Sequence, residues 1–159
     1  MRLHLGSLGM ALLVVPALFS ATASSHTIHC AGRALSANKK DLTDAITYLH
    51  WMADGKLWHS GSVPNPEKVH TLDPNFCEQI ACIKHAEVRW CNEDPVNSRS
   101  MHVQHIAEGA TALLTDCKDT YKGKDVAGGY LTHDDHWSVV VQEPKKCESK
   151  VFQGRAFEA

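Results

Sequence analysis

Two segments of the chain carry apolar residues at the spacing of an amphipathic helix. The first begins after Asn38, which can cap a helix start, and stops at Gly55, a common residue at helix ends. Its apolar positions are Leu42, Ala45, Ile46, Leu49, Met52 and Ala53. The second spans residues 101–117, with Ser98 or Ser100 available as a cap. Each stripe predicts a helix that buries one face against another element.

Four shorter segments have the composition or the alternation of β-strands. Residues 27–30 and 137–142 each form one strand. Residues 77–92 are expected to form two strands joined by a turn at Lys84 and His85, unless this stretch is a single long strand. The order β-α-β-β-α-β predicts an α+β, two-layer sandwich, with a four-stranded antiparallel sheet that carries both helices on one face.

Three further segments lack either pattern. Residues 56–76 contain several prolines and are expected to form an irregular insertion loop. Residues 118–135 are polar and are expected to be a loop with a glycine turn, and residues 148–159 a flexible C-terminal tail. The chain of 159 residues is then a single domain that spans residues 24–147.

The N-terminal residues have the layout of a secretory signal peptide. Arg2 precedes the apolar run of residues 8–19, which is too short to span a bilayer, and residues 21–23 read Ala-Thr-Ala, a signal-peptidase site. We expect residues 1–23 to be removed and the mature chain to start at Ser24, although a buried N-terminal helix would carry a similar apolar run. The predicted localisation is extracellular, with no membrane anchor.

The six cysteines follow the predicted signal peptide and are expected to form three disulfides. Their spacing suits a zinc site poorly, because no tight pair with two intervening residues occurs. The first strand ends at Cys30 where the second helix ends at Cys117, and the hairpin brings Cys77 opposite Cys91. The third pair is what remains. The expected pairs are Cys30–Cys117, Cys77–Cys91 and Cys82–Cys147.

These residues together resemble a known group of secreted proteins. Thr-Ile-His-Cys at residues 27–30, Ile-Ala-Cys at 80–82, the segment 86–91, the helix that ends at Cys117 and the strand 137–141 resemble small cysteine-rich fungal effectors. Their fold is similar to that of the smut killer toxins, an α/β sandwich. The resemblance implies a virulence protein that acts on a host, or a toxin against competing microbes.

Histidines offer candidate metal ligands. His102 and His105 lie on one side of the second helix, and His133 and His136 flank two aspartates. No His-Glu-x-x-His motif is present, so packed or solvated histidines are the favoured interpretation and no cofactor is expected.

A histidine–glutamate pair could also cleave RNA by general acid–base catalysis. Candidate members are His85, Glu87, His102 and Glu108. The net charge of −2 provides no basic excess for a nucleic acid, so none is expected as a partner, and the lysine doublets at 39–40 and 145–146 are interpreted as solvated charges. A cleft that brings two histidines and a glutamate together would favour an enzyme.

Tryptophans offer a binding site instead. Trp58 and His59 lie in the predicted insertion loop, where an exposed indole could anchor a protein partner, although Trp58 could equally pack into the core. Trp90 and Trp137 are expected in the core.

The expected function is that of a monomeric, non-catalytic secreted effector that binds a host or competitor target. The alternative is a killer-toxin-like antimicrobial or a small ribonuclease or hydrolase.

The predicted processing can be tested directly. Protein expressed through a secretory pathway should begin at Ser24 and carry no free thiol, because all six cysteines pass through an oxidising compartment. N-terminal sequencing and thiol labelling of the denatured, unreduced protein measure both properties. Two labelled cysteines per chain would contradict the three-disulfide arrangement.

Overall fold

A computed structural model describes residues 25–55 and 68–147. The predicted signal peptide and C-terminal tail, most of the predicted insertion, and Trp58 and His59 lie outside these residues. The described strands are β1 (His26–Cys30), β2 (Ala37–Asn38), β3 (Val69–Leu72), β4 (Phe76–Ile83), β5 (Ala86–Asn92), β6 (Arg99–His102), β7 (Lys118–Tyr121), β8 (Lys124–Ala127), β9 (Gly129–His133) and β10 (Trp137–Gln142). The described helices are α1 (Lys39–Asp54), α2 (Val103–Asp116) and a 3-10 turn at Gly32–Leu35.

The strands form three antiparallel sheets rather than one. The main sheet has five strands in the order β1-β9-β10-β5-β4, and the smaller sheets are β2-β8-β7 and β3-β6. The predicted four-stranded sandwich is therefore wrong: the described residues contain two helices and ten strands, and β9 lies between β1 and β10. The Lys84–His85 turn of the β4–β5 hairpin is as predicted.

The missed strands lack an apolar alternation. β9 places Gly129, Leu131 and His133 on one face, so only one of the three residues is aliphatic. β7 and the first half of β8 are exposed and polar, and they become strands by pairing with each other. β3 lies within the segment predicted to be irregular and pairs with the equally short β6. These segments are strands because they pair with other strands, and no pattern within the segments themselves indicates that pairing.

Both ends of α1 are fixed by the residues that the sequence indicates. The Asn38 side chain accepts hydrogen bonds from the backbone N–H groups of Lys40 at 3.0 Å and Asp41 at 3.1 Å. Gly55 has a φ of 73° and donates its N–H to Met52 O at 3.2 Å. α2 begins later than predicted, because β6 occupies the preceding residues and the His102 side chain, rather than a serine, accepts the N–H of Gln104.

The core lies between the two helices and the inner face of the main sheet. Strand register places Val88 and Trp90 of β5 on the same face as Val141 and Val139 of β10. Trp90 is fully buried, and Trp137 is partly buried at the edge of the core. The α2 side of the core is contributed mainly by Val103, Ile106, Ala107, Ala110 and Leu113.

Three disulfides cross-link the fold, two of them between elements that are distant in the sequence and one within the β4–β5 hairpin. They pair Cys30 with Cys117, Cys77 with Cys91 and Cys82 with Cys147, which are the pairs expected from the sequence. The third holds the segment after β10 against the outer face of the sheet, the face opposite the helices. There Gln79 Nε2 donates a hydrogen bond to Lys146 O at 3.3 Å.

Gly128 is required where the 3-10 turn meets β9. A Cβ atom at this position would lie 1.6 Å from Leu35 O, a backbone atom that cannot move alone. Gly128→Ala should therefore destabilise the protein by about 3 kcal/mol, at the upper end of overpacking, and lower its melting temperature by about 10 °C. Thermal unfolding of the oxidised protein followed by circular dichroism measures the change.

Gly123 provides the control for this substitution. It also lies in a turn, with a φ of 74°, but no atom lies within 4 Å of a Cβ built there. Gly123→Asn should keep the melting temperature within a few degrees, since asparagine tolerates the left-handed region. Equal melting temperatures for the two variants would show that the 3-10 turn does not pack on Gly128.

Candidate functional site

A histidine-lined cleft lies between α2 and one end of the main sheet. Its volume is about 240 Å³, and its walls include His26, His105, Glu108, His133 and Trp137. Gly109, Ala112 and Leu131 line the remainder with small or apolar groups. This combination of a few polar groups on an apolar lining is found in small-molecule sites, and the volume, which is below their usual range of about 300–1,000 Å³, limits the ligand to a small one.

Strand pairing aligns the sheet side of the cleft. His133 of β9 lies directly opposite His26 of β1 and opposite Trp137 of β10, so the three side chains form a row across the sheet. The imidazole of His133 stacks on the indole of Trp137, with ring centroids 4.7 Å apart. His133 Nδ1 accepts the N–H of Asp135 at 3.1 Å, which fixes the orientation of the ring.

A series of side-chain contacts holds the α2 residues of the cleft in place. Glu108 lies 3.3 Å from Nδ1 of His105 and accepts a hydrogen bond of 3.0 Å from Gln104 Nε2. The Gln104 side-chain oxygen in turn lies 3.3 Å from Nδ1 of His50 on α1. The Gln104 hydrogen bond, followed by the interactions with His105, lowers the pKa of Glu108 below its usual value. Glu108 is therefore a carboxylate at neutral pH, an acceptor for hydroxyl or amino groups.

The cleft lacks one feature that RNA cleavage needs. None of the described residues that line it is a lysine or an arginine, so no fixed cation faces a phosphate. The lowered pKa of Glu108 leaves this carboxylate as an acceptor or a base rather than a proton donor. The geometry therefore suits the binding of a small neutral or cationic molecule better than the cleavage of RNA.

The predicted acid–base residues are spread over the molecule. His85 lies in the β4–β5 turn and contacts Glu143 at 3.2 Å. His102 caps α2, and Glu87 is buried on the outer face of the main sheet. Glu108 alone of these four reaches the cleft.

The predicted metal candidates are divided as well. His105 and His133 line the cleft, whereas His102 serves as the cap of α2 and His136 lies exposed in the β9–β10 turn with a φ of 60°. Within residues 25–55 and 68–147, no three His, Cys, Asp or Glu side chains are grouped so that they could hold a metal ion.

Sequence reasoning missed His26 as a member of the cleft. Its position opposite His133 depends on the pairing of β1 with β9, and β9 itself was not predicted. The one available signal was the spacing of His26 and Ile28, which places both on the same face of a strand.

The chain matches no protein-family model, no curated protein and no solved structure. None of the helices formed by the described residues is long and apolar enough to cross a membrane.

Glu87 has a structural position rather than a catalytic one. Its side chain is 3% exposed, and it accepts hydrogen bonds from the side-chain amides of Gln79 and Gln142. Arg89 Nη1 lies 3.5 Å from Glu87 Oε2. The carboxylate therefore gathers three donors beneath the segment that ends at Cys147.

Removing this carboxylate should destabilise the fold. Glu87→Ala leaves buried donors without an acceptor, and we expect a loss of about 3 kcal/mol. Denaturant unfolding of the oxidised protein measures it. Glu93→Ala, at an exposed carboxylate just after β5, should change the stability by less than about 0.5 kcal/mol. Wild-type stability in Glu87→Ala would mean that the outer-face network contributes little.

Proposed function

We propose that this protein is a secreted, non-catalytic effector that binds a target outside the cell that produces it. The observation that carries the proposal is the set of three disulfides, which is typical of extracellular proteins. The apolar run at residues 8–19 and the resemblance to cysteine-rich fungal effectors support the same conclusion. The disulfides tie the end of β1 to the end of α2 and the segment after β10 to β4, so the protein presents its surfaces on a rigid scaffold.

Three of the four acid–base residues predicted from the sequence lie outside the histidine-lined cleft, and this separation supports binding rather than catalysis. His85 and Glu87 lie at the hairpin end and on the outer face, away from the cleft that holds His105 and Glu108. A killer-toxin-like action on a competing microbe remains within this proposal, because it also requires recognition of a target rather than turnover of a substrate.

A ribonuclease is the second candidate, favoured by one observation: three histidines and a glutamate share the cleft. Purified protein should nevertheless leave single-stranded RNA intact over prolonged incubation, since the described residues that line the cleft include no lysine or arginine. Gel analysis of RNA incubated with wild-type protein and with Glu108→Gln measures this. Cleavage by the wild type that disappears in Glu108→Gln would replace the binding proposal with an enzymatic one.

The partner-binding residues predicted from the sequence provide a second test. Fluorescently labelled protein should be retained on the surface of its target cells, with intact leaf tissue and competitor yeast as the two preparations. Trp58→Ala should weaken retention by roughly thirtyfold, the effect of about 2 kcal/mol at an interface hot spot. His59→Ala should weaken it less, and Ser60→Ala is the control from the same segment.

Thermal unfolding of the same variants distinguishes a binding role of Trp58 from a role in the core. An unchanged melting temperature with reduced retention supports a binding role for Trp58. A large drop in melting temperature would assign Trp58 to the core, and retention equal to that of the wild type would exclude it from the interface.

A further inference from the structure

A second depression lies at the end of the main sheet opposite the histidine-lined cleft. It has a volume of about 460 Å³ and adjoins a smaller pocket of about 200 Å³, with which it shares Ser36, Tyr121, Lys122 and Glu143. We call this continuous surface the basic groove. Its cationic residues are Arg33, Lys122, Lys124 and Lys145.

Four segments that are distant in the sequence form the basic groove, and cross-links hold the three that carry its lysines and its arginine. Cys30 lies just before the 3-10 turn that carries Arg33, and Cys117 directly precedes the strand that ends at Tyr121, so the Cys30–Cys117 disulfide holds these two segments together. The Cys82–Cys147 disulfide holds the segment that carries Lys145. The groove is therefore a fixed feature of the fold.

An aromatic ring lies among the cations. The guanidinium carbon of Arg33 lies 5.7 Å from the ring centre of Tyr121, and the ammonium of Lys122 lies 5.0 Å from it. Tyr121 is half-buried, whereas Arg33, Lys122 and Lys145 are exposed. Among the described residues that line the groove, Glu143 is the one carboxylate, and it is already paired with His85 at 3.2 Å.

The opposite end of the main sheet is acidic. Its three turns contact one another: Asn75 N donates to Asp94 O at 3.1 Å, and Glu93 N donates to His136 O at 2.8 Å. Backbone N–H groups of Asn97 and Val96 lower the pKa of Asp94 to about 2. The carboxylates of this end are Asp73, Glu93, Asp94, Asp134 and Asp135. The net charge is only −2, but one end of the main sheet is acidic and the other end is basic. This separation of charge directs an anion toward the basic groove.

We infer that the basic groove binds an acidic oligosaccharide, a sugar chain whose rings carry carboxylate or sulfate groups. A guanidinium can hold such a group through two parallel hydrogen bonds, and the Tyr121 ring, over which Arg33 and Lys122 lie, helps to hold these two cations in place. The volume of the groove is within the range of about 300–1,000 Å³ found for small-molecule sites. The inference deepens the proposed function and rests on it only for the extracellular compartment.

Two other polyanions fit the groove less well. Single-stranded nucleic acid is bound by series of aromatic rings, whereas the described lining residues of the groove include one tyrosine, Tyr121, and one histidine, His85. An anionic membrane is bound by cations together with exposed apolar side chains, whereas none of the large exposed apolar residues among the described ones, Val69, Phe76, Val96 and Tyr130, lines this surface.

The test measures binding of the purified, oxidised protein to short oligogalacturonides and to heparin-derived oligosaccharides by calorimetry. We expect binding that weakens as salt rises. The double variant Arg33→Ala/Lys122→Ala should bind about tenfold more weakly, and Tyr121→Ala severalfold more weakly without any change in charge. Lys118→Ala is the matched control, because Lys118 lies on the same strand as Tyr121 but does not line the groove, and it should bind as the wild type does.

Four outcomes would overturn the inference. They are equal binding of a neutral chito-oligosaccharide, tighter binding of single-stranded RNA or of anionic phospholipid vesicles, equal weakening by Lys118→Ala, and wild-type affinity in the double variant. The measurement uses purified protein and needs neither secretion nor a biological response, so its failure is distinguishable from a failure of the proposed function. Retention on target cells that is lost in Trp58→Ala, with unchanged oligosaccharide binding, would separate the two sites.

Discussion

The segment between β10 and Cys147 is the constraint on which the outer half of the molecule depends. Through the Cys82–Cys147 disulfide and the hydrogen bond from Gln79 to Lys146 O, it covers a sheet face that holds the buried carboxylate of Glu87. A carboxylate buried there needs donors on both oxygens, and amide side chains on β4 and β10 supply them. The same segment brings Lys145 to the basic groove, so one cross-link serves both stability and surface chemistry.

Local chemistry explains what could be predicted from the sequence. The caps of α1 at Asn38 and Gly55 act through neighbouring backbone groups, and the cysteines at element ends could be paired once the elements were known. β9 could not be predicted, because glycine and histidine take the positions where an inward-facing strand normally shows aliphatic residues. It becomes a strand because β1 and β10 both pair with it, an arrangement that depends on the whole fold.

The same dependence explains why the surfaces were only partly predicted. His105 and His133 were recognised as candidate ligands, but their shared cleft with His26 required the register of β1 on β9. The basic groove combines residues near positions 33, 122 and 145, and each of these cations looks like an ordinary solvated charge when considered alone. Long-range cross-links, rather than any local motif, convert these scattered charges into one surface.

The two ends of the main sheet have opposite electrostatic character, so their ligand preferences should be opposite too. The histidine-lined cleft contains the ionised carboxylate of Glu108 and lies beside the turn that carries Asp134 and Asp135, an environment that repels anions. The basic groove attracts anions. An acidic polymer held at the groove therefore leaves the cleft free for a neutral or cationic ligand, and a single small domain can engage two chemically different molecules at once.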